Sequence, residues 1–267
     1  MESMRLEAKA IEQALYQLNQ ANEYPSLQIE VVEQTGSTNA DLMQRAKNLQ
    51  TPTLLLARHQ TAGKGRAGRS WLSTPDGVLT FSLAWEFQSG VQGLIGLPLA
   101  VGVAIAERLQ QLGVPVKLKW PNDLLKESKK LAGILVESQV SSAGSSWAII
   151  GIGLNLRVPD ELEQRIGQAV ADAAWLAQMD RNQLVAQLLQ ALQAALIEFS
   201  TQGFAAFVDR WNRLHAHANQ AVMIIDQQTV LQQGIALGVD QQGCLILQTE
   251  KGEVLIHSGD VSLRPLP

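Results

Sequence analysis

Near Asn219 this chain passes from mixed helix and strand patterns to short strands alone, and that change bounds what it can fold into. Before it, helix and strand patterns alternate. Residues 6–19 put Leu6, Ala10, Ala14, Leu15 and Leu18 on one helical stripe, and Pro25 ends the segment. Residues 27–32 alternate and are β-branched, which reads as a strand. A helix is expected over 38–49, with Thr38 or Asn39 as N-cap, then a short strand over 53–57. Strands over 78–85, 116–120, 130–139 and 146–151 accompany a long apolar helix over 94–112. The Ser- and Gly-rich stretch 141–146 reads as a hairpin turn. Leu184, Leu188, Leu192 and Leu196 recur at helical spacing as a core stripe, and the helical signal continues over 204–214. After Ala221 only short strands with glycine turns remain, over 222–226, 233–239, 244–248, 254–257 and 261–264. That pattern suits a small β-barrel. Three segments follow: an N-terminal helical extension 1–26, a main domain 27–219 and a C-terminal β unit 220–267.

A chain of 267 residues can bury a sizeable core without staples. Apolar residues at 46% and charged residues at 17% argue against a disordered scaffold. The net charge of −4 excludes a surface that is basic overall, so any anion site must be local. The single cysteine, Cys244, excludes an internal disulfide and lies in an apolar run, the setting of a buried structural thiol. Residues 1–20 lack the apolar stretch of a secretory signal, and no run approaches the ~18 apolar residues of a membrane span. A soluble, cytoplasmic protein without a membrane partner is expected.

Residues 60–73 break every period. They hold three glycines with Lys64, Arg66 and Arg69, so a loop is expected, mobile when empty. Gly63-Lys64-Gly65-Arg66-Ala67-Gly68 matches GxGxxG, but Arg69-Ser70-Trp71-Leu72-Ser73-Thr74-Pro75 follows and is no helix start. The GxxxxGK[ST] phosphate loop fails too, because Gly65 follows Lys64. The composition still suits an anion: free backbone N–H groups, three cations, and Trp71 as a face for a ring. A solvated basic loop is the plainer alternative.

Four further clusters each have a plain and a chemical reading. Gly36-Ser37-Thr38-Asn39 caps a helix or binds a small neutral head group. Lys119-Trp120-Pro121-Asn122-Asp123 is a turn, or a carboxylate beside a metal–phosphate site. In the run from Lys129 and Lys130 to Glu137, Gly133 asks for a bulge or a close backbone approach to a ligand. Gly151-Ile152-Gly153-Leu154-Asn155 repeats that signal. His215 and His217 lack further ligand-type residues nearby in sequence, which disfavours a metal.

In this order and spacing, the clusters resemble the biotin–protein ligase family. The likeness runs from about residue 27 to 267 and includes Gly238-Val239-Asp240 and Gly259-Asp260-Val261-Ser262-Leu263-Arg264 near the end. It implies an α+β fold: a catalytic domain akin to class II aminoacyl-tRNA synthetases, a mixed sheet flanked by helices, then a C-terminal SH3-like β-barrel. On that likeness Ser37, Thr38, Asn39, Gln60, Gly63, Lys64, Gly65, Arg66, Lys130 and Gly133 bind biotin. Arg66, Arg69, Trp71, Asn122, Lys130, Gly153 and Asn155 bind ATP or the adenylate. Lys130, Arg66 and Asp123 are catalytic, with Asp123 near Mg²⁺ or the incoming lysine. Two features depart from the pattern. Lys64 and Ala67 stand where the family loop is often richer in arginine. Only about 26 residues precede the first strand, too few for the DNA-binding domain of some members, so no DNA partner or repressor role is expected.

The resemblance implies that biotin and ATP give biotinyl-5'-AMP, whose acyl group passes to a lysine of a biotin carboxyl carrier protein. The ligase would act as monomer or homodimer. A lipoate–protein ligase of the same fold and a sensor that holds biotinyl-AMP without transferring it are the alternatives.

Overall fold

In the run VLTFSLAWEF, large apolar residues alternate with small ones, and this fixes how the central strand is used. The computed structural model describes residues 5–20, 24–140, 144–166, 169–226 and 229–266. In chain order the elements are α1 (Ala8–Leu18), β1 (Gln28–Thr35), α2 (Thr38–Arg45), β2 (Thr53–Gln60), β3 (Val78–Phe87) and α3 (Leu97–Gln111). Then come β4 (Lys117–Lys119), β5 (Asp123–Lys126), β6 (Lys129–Val140), β7 (Ser146–Asn155), α4 (Asp160–Ile166), α5 (Arg181–Gln202) and α6 (Val208–Leu214). The chain ends with β8 (Ala221–Asp226), β9 (Thr229–Val239), β10 (Leu245–Thr249), β11 (Gly252–Ile256) and β12 (Val261–Pro265).

The first seven strands form one mixed sheet in the order β1-β2-β3-β7-β6-β5-β4. β1 and β2 run parallel, and the other neighbours run antiparallel. Its two faces are covered unequally. Leu79, Phe81, Leu83 and Trp85 of β3 join Leu54, Leu56, Ile150, Ile152 and Leu154 under α1, α3, α5 and α6 in the larger core. On the opposite face Leu55, Ala84, Trp147 and Ile149 pack under Leu42 and Ala46, at and just after α2. α2 thus caps one end of this face. Beyond it stand Thr80, Ser82, Gly133, Gly151 and Gly153, too small to build a second layer, and they line a cavity of about 560 Å³.

Several expectations shift at their edges. α2 is capped by Ser37, whose hydroxyl accepts from the Ala40 N–H (3.4 Å), and not by Thr38 or Asn39. Those two side chains point inward instead. The turn expected at Pro121-Asn122-Asp123 ends one residue earlier, because Asp123 already opens β5 after a cis Trp120–Pro121 bond. β5 has four residues and α4 is mostly polar, so neither carries a readable period. The expected turn at 141–146 lies partly outside the described residues, as do parts of the N-terminal extension. Two segments, Val91–Gln111 and Arg181–Gln202, are long and apolar enough by length and composition to cross a membrane, although neither is an unbroken apolar run. More than half of each is buried, and α3 packs against α5.

β8–β12, the strands the sequence assigns to a small barrel, pair antiparallel in the order β11-β10-β9-β8-β12. This sheet is seated against the β4–β5 hairpin. The fully buried Trp120 donates its indole N–H to the Gly243 carbonyl (3.1 Å), and the Ala216 N–H donates to the Leu118 carbonyl (2.8 Å). The Asn212 amide clamps Val239, accepting from its N–H (2.9 Å) and donating to its carbonyl (3.3 Å). Cys244 is buried here as expected, its thiol 3.2 Å from His257 Nδ1 and pushed up by burial.

His215 and His217 are buried at the same seam, with ring centroids 6.3 Å apart and His215 stacked 4.7 Å from Trp211. Among the described residues no cluster of three metal-ligating side chains exists. Burial, then the neighbouring His217, pushes His215 from 6.5 down to about 4. Between those values the unfolded chain binds more protons than the folded one, so stability falls as pH drops from 6.5 toward 4. His215 alone accounts for about 3 kcal/mol across that window. Urea unfolding at stepped pH should show this slope, and His215→Asn should flatten it. An unchanged slope in the variant would place the acid sensitivity elsewhere.

Candidate active site

One row of register partners crosses six strands of the sheet and a seventh at its end: Val32, Ala57, Thr80, Gly153, Gly133, Asp123 and Lys119. Partners in a row share a face, so these residues lie side by side on the uncapped half. The centre of the row has no bulk, and its β5–β4 end is charged. Trp71 uses the gap. A β-carbon on Gly153 would fall 2.2 Å from its indole, and one on Gly133 would fall 3.0 Å from it. The ring therefore lies on two glycines that face each other across β6 and β7. Its Nε1–H is buried with no partner among the described residues.

Two residues along, Ser82 and Gly151 are partners in the next row on this face. A β-carbon on Gly151 would fall 2.3 Å from Asn39 Oδ1, so glycine here admits the amide. Asn39 donates to Glu137 Oε2 (2.8 Å) and accepts from the Ser82 hydroxyl (2.6 Å). Gln60 Oε1 accepts from the Thr38 N–H (2.8 Å) and hydroxyl (3.0 Å). The two hydroxyls also face each other at 2.7 Å. Three contacts thus share two hydroxyl protons, which leaves the cluster with acceptor capacity for an incoming N–H.

At the other end Lys130 Nζ sits 2.6 Å from Asp123 Oδ1, and Lys119 Nζ sits 3.6 Å from Oδ2. Burial alone would raise the Asp123 carboxyl, but Lys130 and Lys119 outweigh it and hold it below the usual range. Burial lowers Lys119, with Asp123 opposing. Lys130 also lies 5.5 Å from the Trp71 ring centroid. These residues do not fit a protein-held Mg²⁺, contrary to the expectation for Asp123. It is the one carboxylate among the described lining residues, and two ammonium groups already claim it.

The glycine-rich segment, expected to be a mobile loop, is folded back on itself. The Trp71 N–H donates to the Gly63 carbonyl (2.8 Å) and the Gly65 N–H to the Arg69 carbonyl (2.7 Å). Gly63 does not line the cavity. It permits the fold-back, since a β-carbon there would meet the Trp71 carbonyl oxygen at 2.4 Å. Arg66 donates to Asn122 Oδ1 (3.0 Å) and to the Gly259 carbonyl, and Arg69 donates to Ser262 Oγ (3.0 Å). Asn122 also donates to the Ile134 carbonyl (2.7 Å), so in this structure its amide is a strut for the loop. Asn155 is likewise engaged, donating to the Lys130 carbonyl (3.3 Å) and the Ala171 carbonyl (3.2 Å).

Ser37, Thr38, Asn39, Gln60, Lys64, Gly65, Arg66, Arg69, Trp71, Asn122, Asp123, Lys130, Gly133, Gly153 and Asn155 thus all line one cavity. Sequence reasoning missed Thr80, Ser82, Ser262 and Arg264, and gave no role to Lys119 or Glu137. Register partnership with Gly151 would have found Ser82, but it requires the strand pairing first. Seven cations, Lys64, Arg66, Arg69, Lys119, Lys130, Arg165 and Arg264, line this cavity together with Asp123 in a chain of net charge −4.

A mixed sheet with a cationic pocket and an attached small antiparallel sheet defines a recognisable class. The Biotin/lipoate A/B protein ligase family matches residues 29–155, and the Biotin protein ligase C terminal domain matches residues 217–264. The bifunctional ligase/repressor BirA of Escherichia coli is 36% identical over 236 residues, covering 85% of this chain and 71% of that protein. The biotin--[acetyl-CoA-carboxylase] ligase of Mycobacterium tuberculosis is 35% identical over 243 residues, covering 88% of each. A biotin protein ligase from Aquifex aeolicus, solved with biotin and ATP, superposes with a TM-score of 0.74 at 27% identity and covers 90% of this chain and 99% of that one. The chain belongs to the biotin protein ligase family.

The glycine floor generates a coupling that needs no ligand to measure. Gly153→Ala should destabilise the protein by ~1–3 kcal/mol through overpacking against Trp71. The same change in a Trp71→Ala background should cost well under 1 kcal/mol, read by urea denaturation as a double-mutant cycle. Equal costs in both backgrounds would mean the indole does not rest on Gly153.

Proposed function

We propose that this chain is a biotin–protein ligase that makes biotinyl-5'-AMP from biotin and ATP and passes the biotinyl group to a lysine of a biotin carboxyl carrier protein. One observation carries the reading: a single cavity has a donor-poor polar cluster at one end and surplus cations at the other. The ureido ring of biotin brings N–H donors, which supply what Thr38, Ser82, Asn39 and Gln60 lack. A dithiolane ring has no such donors and would cover the cluster without using its acceptors, which disfavours lipoate. The valeryl carboxylate then runs over the glycine floor toward Lys130 and Arg66.

In the first step a biotin carboxylate oxygen attacks the α-phosphorus of ATP, and the bond to pyrophosphate breaks. Negative oxygens converge, and positioned cations are what such a step requires. Lys130 and Arg66 meet that demand, with Arg69 and Trp71 on the nucleotide side. In the second step the carrier amine attacks the carbonyl carbon. The C–N bond forms, the C–O bond to AMP breaks, and the surplus amine proton passes to Asp123 or water. Folded over the site, the segment from Gly63 to Trp71 shields the mixed anhydride from hydrolysis.

Pyrophosphate release should require biotin and ATP and should not respond to lipoate. The purified carrier domain should then be labelled. Lipoate-dependent release would overturn the substrate assignment, and biotin-dependent release without labelling would make the chain a sensor. Lys130→Ala should slow pyrophosphate release by roughly 10²-fold or more, the scale of losing one electrostatic donor. A near-normal rate would remove Lys130 from the chemistry.

A further inference from the structure

Lys119 has no task in the two steps above, yet its charge is costly to keep. Its side chain is 13% exposed, and Arg264 and Lys130 repel it. Asp123 is the one carboxylate that acts on it among the described residues. In the resting site Lys119 is the second and more distant cation on Asp123, at 3.6 Å against 2.6 Å for Lys130. Its share of that carboxylate grows if Lys130 turns away.

The floor gives Lys130 a reason to turn. Its Nζ lies 3.3 Å from where a Gly133 β-carbon would be, on the surface a ligand must cover. An acyl-phosphate arriving there draws on the same ammonium that neutralises Asp123. The carboxylate and the phosphate would then repel one another across a few ångströms of partly dry space. Lys119 stands on the far side of Asp123, as its cross-strand partner on β4, away from the two glycines. It can keep its ion pair while Lys130 moves.

We propose that Lys119 is a positioning residue for the transfer step: it holds the Asp123 carboxylate in place after Lys130 has left it for the adenylate. Asp123 then presents a fixed, ionised oxygen to the carrier ammonium. The inference rests on the functional reading above and adds the division of labour between the two lysines.

The test separates the half-reactions. Adenylation is read as pyrophosphate release, and transfer as single-turnover labelling of the carrier from preformed biotinyl-AMP. Lys119→Met keeps the length and removes the charge. It should leave adenylation within about threefold of wild type and slow transfer by roughly tenfold or more, with Lys119→Arg restoring most of the loss. In an Asp123→Asn background Lys119→Met should add nothing further, because Lys119 acts through Asp123. If the Met variant fails to fold, Lys119→Gln carries the same readouts. Equal loss in both half-reactions, normal transfer in the charge-free variant, or an additional loss in the Asp123→Asn background each overturns the inference. A wild-type protein without biotin-dependent pyrophosphate release would instead overturn the function itself.

Discussion

Unequal covering of the seven-stranded sheet is the constraint from which the site follows. Four helices press on one face and fill it with leucine, isoleucine and aromatic side chains. The other face has α2 at one end only. A bare half-face of large apolar residues would be an aggregation surface. Glycine, serine and threonine avoid that, and they also lower the floor so that an indole and a ligand can approach the backbone. Glycine weakens a strand. Here the loss falls on β6 and β7, where β7 is paired along its whole length with β3 and along most of it with β6. The most firmly held part of the sheet tolerates the least side-chain packing.

The same geometry settles the electrostatics. Seven cations around one carboxylate are unfavourable in an empty protein, and burial already lowers Arg66 and Lys119. Folding accepts that strain because other contacts hold each group where it stands: Arg66 by Asn122 and the Gly259 carbonyl, Arg69 by Ser262, and Lys130 by Asp123. Charge assembled before the anion arrives needs no reorganisation when the anion forms. A guanidinium stays cationic even when burial lowers it, which suits Arg66 to the closed loop.

Much of the fold was legible because period survives in single segments. The apolar length of α3, the leucine stripe of α5 and the alternation in β3 can each be read from ten to twenty or so residues. Gly133, Gly151 and Gly153 were legible as places of close approach because strands rarely tolerate glycine. What was not legible depends on register. Ser82 looks like any small residue in an apolar strand until Gly151 and Asn39 are set beside it. Glu137 looks like a solvated strand residue until it accepts from Asn39, 98 positions away. Asp123 was read as a turn residue because β5 is too short to announce itself, yet its place in a row with Gly133 and Lys119 gives it its partners. Ser37 was passed over as the cap because three consecutive polar residues compete for that position, and the burial of Thr38 and Asn39 decides among them.

The change of texture near Asn219 marks a boundary in sequence, but the site does not respect it. Ser262, Leu263 and Arg264 of β12 line the cavity, and Arg66 and Arg69 reach across to β12 and the turn before it. Trp120 fastens the other side of the junction, one residue from Lys119 and three from Asp123. A contact made by the closed loop is therefore also a contact across the seam. The fold-back of the loop and the seating of the C-terminal sheet share these contacts, so a change that weakens one weakens the other, since coupling is reciprocal. The small sheet thus forms a wall of the cavity, and its placement is tied to the two arginines of the folded loop.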